Sequence, residues 1–113
     1  MNITAEIWTK IGSISDIPQR GARRVKYGAV VIAIFRTFDD RIFALEDVCT
    51  NCDGPISQGI VGDASVACPI CNWEISLETG EAMGADVGQV ATYPVRLEGG
   101  ILQISLSPAA KAA

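Results

Sequence analysis

CTNCDGPISQGIVGDASVACPICNW, residues 49–73, contains every cysteine of this 113-residue chain. The cysteines form two Cys-x-x-Cys pairs, Cys49 with Cys52 and Cys68 with Cys71, and fifteen residues separate the pairs. Two residues between thiols is the spacing of a metal knuckle, because the turn brings both sulfurs within reach of one tetrahedral ion. Two such pairs that together use all the cysteines predict one site with four thiolate ligands.

Other states of the four cysteines stay open from the spacing alone. They would be buried free thiols or disulfides, although a disulfide within either pair would close a very tight and strained ring. The chain contains no histidine, so no imidazole is available as a ligand. Four thiolates suit both zinc and iron, and the sequence does not separate these metals.

Length and composition predict a single domain over residues 1–113 of a cytoplasmic protein. Hydrophobic residues make up 49% of the chain and charged residues 19%, as in compact folded proteins. The longest apolar run, 29–35, cannot cross a bilayer, and the N-terminus lacks the features of a secretory signal. A net charge of −4 argues against nucleic acid as a partner. We therefore expect neither a membrane nor a nucleic-acid role.

Short stretches of alternating or β-branched apolar residues between turn residues predict an all-β fold. The first strand contains Ile7, Trp8 and Ile11. Further strands are expected at 23–27, 29–35, 41–45, 65–67, 73–77, 91–97 and 101–106. Many short strands at this spacing favour an antiparallel β sandwich or partly open barrel.

The cysteine pairs each follow a predicted strand, which places them on loops. We expect metal-binding loops at 49–62 and 68–73, both at one tip of the domain and near its surface. The tail at 107–113 is expected to fray.

No serine–base pair, spaced carboxylate pair or phosphate-binding glycine loop is present, so we predict no catalytic residue.

The residues around the cysteines resemble a Rieske domain, and more narrowly the small subunit of assimilatory NAD(P)H-dependent nitrite reductase. The more specific parts of the resemblance are Gly54-Pro55, Ser57-Gln58-Gly59 and Asn72-Trp73. It extends from Trp8 to the segment Thr92-Tyr93-Pro94-Val95 and so covers nearly the whole chain. The fold that it implies is a Rieske-like β-domain, in agreement with the predicted strands.

The ligand set departs from that family. Rieske centres bind [2Fe–2S] through Cys-x-His in one loop and Cys-x-x-His in the other, with both imidazoles on the same iron. By this resemblance, Cys49 and Cys68 fall on the cysteine positions, while Asn51 and Cys71 fall on the histidine positions. Cys52 is an extra cysteine, one residue beyond the first histidine position. An ordinary Rieske cluster therefore cannot form in this chain.

Three metal centres remain compatible with the four cysteines. We favour a mononuclear iron bound by all four thiolates, of the rubredoxin type, because the extra cysteine makes the first loop a knuckle like the second. A [2Fe–2S] cluster with four cysteine ligands is the second candidate, since the loops of the resembled family accommodate two irons. Zinc is the third.

The resemblance implies an iron–sulfur electron-transfer or accessory subunit of a nitrite reductase, itself non-catalytic. Its partner would be the large subunit that carries sirohaem and flavin. One alternative is a free-standing ferredoxin-like or rubredoxin-like carrier that feeds an oxygenase or another redox protein. A further alternative is a zinc-stapled interaction module with no redox role.

Several residues beside the cysteines receive simpler interpretations. Glu46, Asp47 and Asp53 are predicted to be solvated loop carboxylates, with an acidic rim for a partner as the alternative. Asn51 is interpreted as a turn residue that could donate a hydrogen bond to sulfur. Trp73 alternates with apolar residues and is predicted to belong to the core.

Overall fold

The computed structural model describes residues 8–84 and 86–105, and within them the chain folds into ten strands and two single-turn 3₁₀ helices. The strands are β1 Trp8–Ser13, β2 Gly21–Tyr27, β3 Val30–Arg36, β4 Ile42–Glu46, β5 Ile60–Val61, β6 Ser65–Ala67, β7 Glu74–Ser76, β8 Thr92–Tyr93, β9 Val95–Glu98 and β10 Ile101–Ser105. The 3₁₀ helices are Ile14–Asp16 and Ile56–Gln58. No helix in these ranges has the length and apolar character needed to cross a bilayer.

The strands form three antiparallel sheets that do not close into a barrel. The four-stranded sheet has the order β2-β3-β4-β8, and the first three-stranded sheet has the order β1-β10-β9. The third sheet, β5-β6-β7, carries the second cysteine pair at the end of β6. The prediction of an all-β antiparallel fold is confirmed.

Strand β3 of the four-stranded sheet is buried on both faces, which explains its continuous apolar run. Ile32 and Ile34 pack in a cluster with residues of β10, whereas Ala33 and Phe35 pack in a second cluster with the cysteine loops. A strand covered on both faces needs apolar side chains at every position rather than at alternate ones. The second cluster is therefore the part of the core that supports the candidate site.

The boundaries of some strands differ from the prediction. The strand expected at 91–97 is divided into β8 and β9 at Pro94, whose ring nitrogen has no hydrogen to donate to a sheet. The strand expected at 73–77 is shorter and comprises β7 alone. Ile7 and the tail at 107–113 lie outside the described residues.

A close backbone contact joins the loop after the first cysteine pair to the strand before the second. A Cβ added at Gly59 would lie 2.0 Å from the carbonyl oxygen of Ala67 in β6. Any side chain at this position would force the two backbones apart. The predicted loop 49–62 contains strand β5, and glycine at position 59 therefore allows the segment that leads into β5 to pack directly against β6.

Candidate metal centre

The structure brings the four cysteine sulfurs together. All four Sγ atoms lie within 4.8 Å of one another, and each thiol is free. Two close distances join the loops, 3.6 Å between the Sγ atoms of Cys49 and Cys71 and 3.5 Å between those of Cys52 and Cys68. A tetrahedral ion bonded to sulfur at about 2.3 Å requires sulfur–sulfur separations of about 3.8 Å. The sulfurs are thus placed where they could share one ion.

The first knuckle is closed by two backbone hydrogen bonds. The N–H of Cys49 donates to the carbonyl oxygen of Gly54 at 2.8 Å, and the N–H of Asp53 donates to the carbonyl oxygen of Cys49 at 2.7 Å. Asp53 has φ of +64°, a left-handed conformation that aspartate tolerates better than most residues. The N–H of Gly54 then points to the sulfur of Cys52.

The second knuckle repeats the first, residue for residue. The N–H of Cys68 donates to the carbonyl oxygen of Trp73 at 2.8 Å, and the N–H of Asn72 donates to the carbonyl oxygen of Cys68 at 3.0 Å. Asn72 has φ of +67°, and the N–H of Trp73 points to the sulfur of Cys71. Backbone N–H groups aimed at sulfur offset the negative charge of thiolates. The two loops therefore form matching halves of the candidate metal site.

The local environments of Cys49, Cys52 and Cys71 give their thiols different pKa values. Burial raises the pKa of Cys49, and it raises the pKa of Cys52 to about 12. A hydrogen bond from the Asn51 side chain, supported by the backbone N–H of Trp73, lowers the pKa of Cys71 to about 6. Asn51 is therefore more than a turn residue, since its amide stabilises a thiolate contributed by the other loop.

These pKa values predict the order in which the thiols react in folded, metal-free protein. Near neutral pH, iodoacetamide should alkylate Cys71 before Cys52, because only the thiolate is nucleophilic. The rate at Cys71 should fall as the pH decreases through about 6, where its thiolate takes up a proton. Peptide mass spectrometry over time gives the order. Asn51→Ala should slow the reaction of Cys71 in mildly acidic buffer, and faster reaction of Cys52 would contradict the assignment.

The site lies at the edge of the core, deeper than the predicted surface position. Cys49 and Cys68 are buried within the core cluster, whereas Cys52 and Cys71 are half-buried and pack against it. The reason is that each pair begins where a chain segment leaves the core, so its first cysteine stays inside. Trp73 packs against the same cluster, as its alternation with apolar residues predicted.

The backbone of Gly54 covers the sulfurs. A Cβ at this position would lie 3.2 Å from the sulfur of Cys52 and 3.3 Å from that of Cys68, and 2.8 Å from Cγ1 of Ile70. Even a methyl group would crowd all three groups. A glycine here therefore lets the two knuckles close over each other.

The prediction that Asp47 is a solvated loop carboxylate is wrong. Its side chain is completely buried and accepts hydrogen bonds from Arg24 Nε at 2.7 Å and from the N–H and Oγ of Ser57 at 2.7 and 2.8 Å. Its partners are 23 and 10 residues away in sequence, so no local pattern marks it. Asp53 is exposed, as predicted, and Glu46 is half-buried.

Comparison with known proteins gives a family and relatives of similar length. A family model described as a Rieske-like [2Fe-2S] domain matches residues 7–105. The 3-phenylpropionate/cinnamic acid dioxygenase ferredoxin subunit of Photorhabdus laumondii is 34% identical over 97 residues, which cover 84% of this chain and 90% of that protein. The likeness to ferredoxin subunits thus extends over most of both chains.

Two solved structures share the fold. A chain in the complex of reduced oxygenase and oxidized ferredoxin of carbazole 1,9a-dioxygenase matches with a TM-score of 0.83 at 23% identity, over 95% of this chain and 100% of that one. A Mycobacterium tuberculosis protein assigned as an NADH-dependent nitrite reductase small subunit matches with a TM-score of 0.81 at 24% identity, over 90% and 96% of the two chains. At these identities the likeness establishes the fold alone.

The residues of this chain do not fit a Rieske cluster. Such a cluster takes two imidazoles on one iron, and the chain has no histidine to supply them. Four thiol groups within 4.8 Å of one another could instead hold a metal ion, and four thiolates suit an ion of tetrahedral preference.

Proposed function

Because the chain belongs to the family of Rieske-like [2Fe-2S] domains, we propose that it is a small electron carrier whose four cysteines bind one iron ion. The observation that carries this proposal is the convergence of Cys49, Cys52, Cys68 and Cys71 from two matched knuckles. Iron bound by four thiolates supplies a reversible one-electron couple. The chain itself holds the sulfurs in place, donates N–H groups to them and limits the access of water.

Sulfur spacing favours one ion over a [2Fe–2S] cluster with four cysteine ligands. A two-iron cluster divides its thiolates between two metals that are separated by bridging sulfides. Thiolates on different irons then lie farther apart than thiolates that share one ion. Here no pair exceeds 4.8 Å, and both of the close pairs join one loop to the other. This compact arrangement supports a mononuclear centre.

We further propose that cysteine replaces the histidine ligands of the family in this chain. Cys71 would stand at one histidine position and Asn51 at the other, with Cys52 supplying the fourth thiolate. The hydrogen bond from the Asn51 side chain to Cys71 supports this assignment, since it places position 51 beside the sulfurs. Two thiolates in place of two imidazoles add negative charge, which favours the oxidised metal and lowers the reduction potential.

An oxygenase is the partner that the relatives favour. The 34% identical relative is a dioxygenase ferredoxin subunit, and a second ferredoxin subunit, of the anthranilate 1,2-dioxygenase of Burkholderia cepacia, is 29% identical over 100 residues. The large subunit of a nitrite reductase is the second candidate, on the strength of the motif resemblance and the shared fold. Four free cysteines suit a reducing compartment, so we propose that the carrier works in the cytoplasm.

Metal analysis with optical spectroscopy tests the proposed centre. We expect a red protein with one iron per chain, no acid-labile sulfide, visible charge-transfer bands from thiolate to iron and a high-spin ferric resonance. Acid-labile sulfide equal to the iron would instead indicate a [2Fe–2S] cluster held by the four cysteines. A colourless protein with zinc would favour the interaction module and contradict the electron carrier.

Reconstitution of electron transfer tests the partner. The reduced protein should reoxidise rapidly in the presence of a cognate terminal oxygenase and slowly with oxygenase that lacks its metal centres. Co-purification with a sirohaem subunit under native expression, without transfer to any oxygenase, would favour nitrite reductase.

A further inference from the structure

We propose that Asp47 is the positioning residue of the metal centre, a buried carboxylate that fixes the first knuckle relative to the second. The inference rests on the proposed function, because it assigns a role in holding the metal that the four cysteines would bind. Among the described residues, the Asp47 side chain makes no hydrogen bond to a cysteine sulfur. It would act through the loop that carries Cys49 and Cys52.

The contacts of Asp47 join three separate parts of the chain. Its Oδ2 accepts from Arg24 Nε on β2 at 2.7 Å and from Ser57 Oγ at 2.8 Å, while Oδ1 accepts from the N–H of Ser57 at 2.7 Å. Its own N–H donates to the carbonyl oxygen of Val31 on β3 at 2.8 Å. Asp47 therefore ties both limbs of the first metal loop to the four-stranded sheet.

The position of this cluster in the loop explains why it would govern the knuckle. Asp47 stands two residues before Cys49, and Ser57 stands five residues after Cys52, so their hydrogen bonds close the loop at its base. Ser57 follows Ile56, which is completely buried, and precedes Gly59, which packs against β6. These hydrogen bonds therefore hold in place the chain segment that connects the first cysteine pair to the second.

Because the Asp47 carboxylate is buried, its hydrogen bonds stabilise the loop more than an exposed ion pair would. The side chain of Asp47 has 0% exposure, whereas that of its partner Arg24 is 56% exposed. A buried carboxylate that loses a donor is left with an unmet acceptor and an uncompensated charge, which is costly. The neighbouring ion pair of Arg23 with Asp16 has both side chains about half exposed. It is a weak interaction by comparison and provides a matched control on the same strand.

Metal release from iron-loaded full-length protein tests the inference. Asp47→Asn and Arg24→Gln should each release iron to a competing chelator about 10- to 100-fold faster than the unmodified chain. Arg23→Gln should release it at the unmodified rate. Arg24→Lys, which keeps the charge, should release iron at a rate close to that of the unmodified chain. The visible band shape should change in the first two variants and not in the control, because the sulfurs would lose their fixed arrangement.

Amide hydrogen exchange tests the inference in the absence of iron. In metal-free protein, the amide of Ser57 should exchange with solvent at least about tenfold faster in Arg24→Gln than in Arg23→Gln. If Asp47→Asn does not fold, Ser57→Ala removes only the hydroxyl bond and should give a smaller change in the same direction. Unmodified release rates and band shapes in folded variants would overturn the positioning role. Failure of the unmodified chain to bind iron would instead contradict the proposed function, while the exchange result would still report on these bonds.

Discussion

Replacing Cys68 by serine should leave the chain unable to retain a metal ion during purification. Binding of structural zinc contributes roughly 10–16 kcal/mol in zinc-finger peptides, so the loss of one of four ligands removes about a quarter, or roughly 2.5–4 kcal/mol. That is a decrease in affinity of roughly 60- to 800-fold. Cys68 is also buried in the core cluster, where a serine hydroxyl costs more free energy to bury than a thiol does. Metal content per chain and the increase in melting temperature on metal addition measure the effect.

Ile70→Ser provides the control for this substitution. It introduces the same side chain into the same knuckle, at an exposed position that offers no ligand. Its metal content should equal that of the unmodified chain. Cys52→Ser, at a half-buried position, should also lose the metal while disturbing the core less. Full metal occupancy in both cysteine variants would show that the four sulfurs are not the ligands.

Restoring histidine should convert the site into a different centre. In the combined variant Asn51→His, Cys52→Ser and Cys71→His, the donor set becomes that of a Rieske cluster, two thiolates and two imidazoles. We expect iron and acid-labile sulfide in equal amounts, where the unmodified chain has iron alone. The potential should decrease with rising pH as the bound imidazoles lose protons, whereas that of the unmodified chain should be nearly independent of pH. Reconstitution with iron and sulfide, followed by voltammetry between about pH 6 and 9, separates the two behaviours.

Asn51→His alone is the matched control for this conversion. It adds an imidazole but keeps all four cysteines, so it should retain a single iron and a potential that does not vary with pH. A combined variant that folds and binds no cluster, or binds one with a constant potential, would contradict the assignment of positions 51 and 71. The hydrogen bond that Asn51 makes to Cys71 supports the placement of both side chains at one centre.

If these outcomes are observed, the protein combines the fold of one family of electron carriers with the metal chemistry of another. The fold would provide the docking geometry of a ferredoxin subunit. The thiolates would provide a lower potential that does not respond to pH. The ligand change would then alter the driving force for electron transfer without altering the scaffold.

Local pattern alone predicted most of the strands, the two cysteine pairs and the exclusion of a histidine-ligated cluster, but it missed β5, which lies inside the predicted loop 49–62. Alternation in Arg41–Leu45 correctly assigned Ile42 and Ala44 to one face of β4 and Phe43 and Leu45 to the other, because the two-residue period of a strand is written in its own sequence. The spacing of each cysteine pair likewise predicts a turn without reference to the rest of the chain.

Only the tertiary structure decided the depth of the site, the burial and hydrogen bonds of Asp47 and the differences among the thiols. Asp47 resembles any other loop carboxylate in the sequence, because Arg24 and Ser57 reach it only after the sheet and loop have folded together. The contact of Asn51 with Cys71 likewise joins two knuckles that are distant along the chain. Burial and long-range hydrogen bonds depend on what packs nearby in space, and that information is absent from a local pattern.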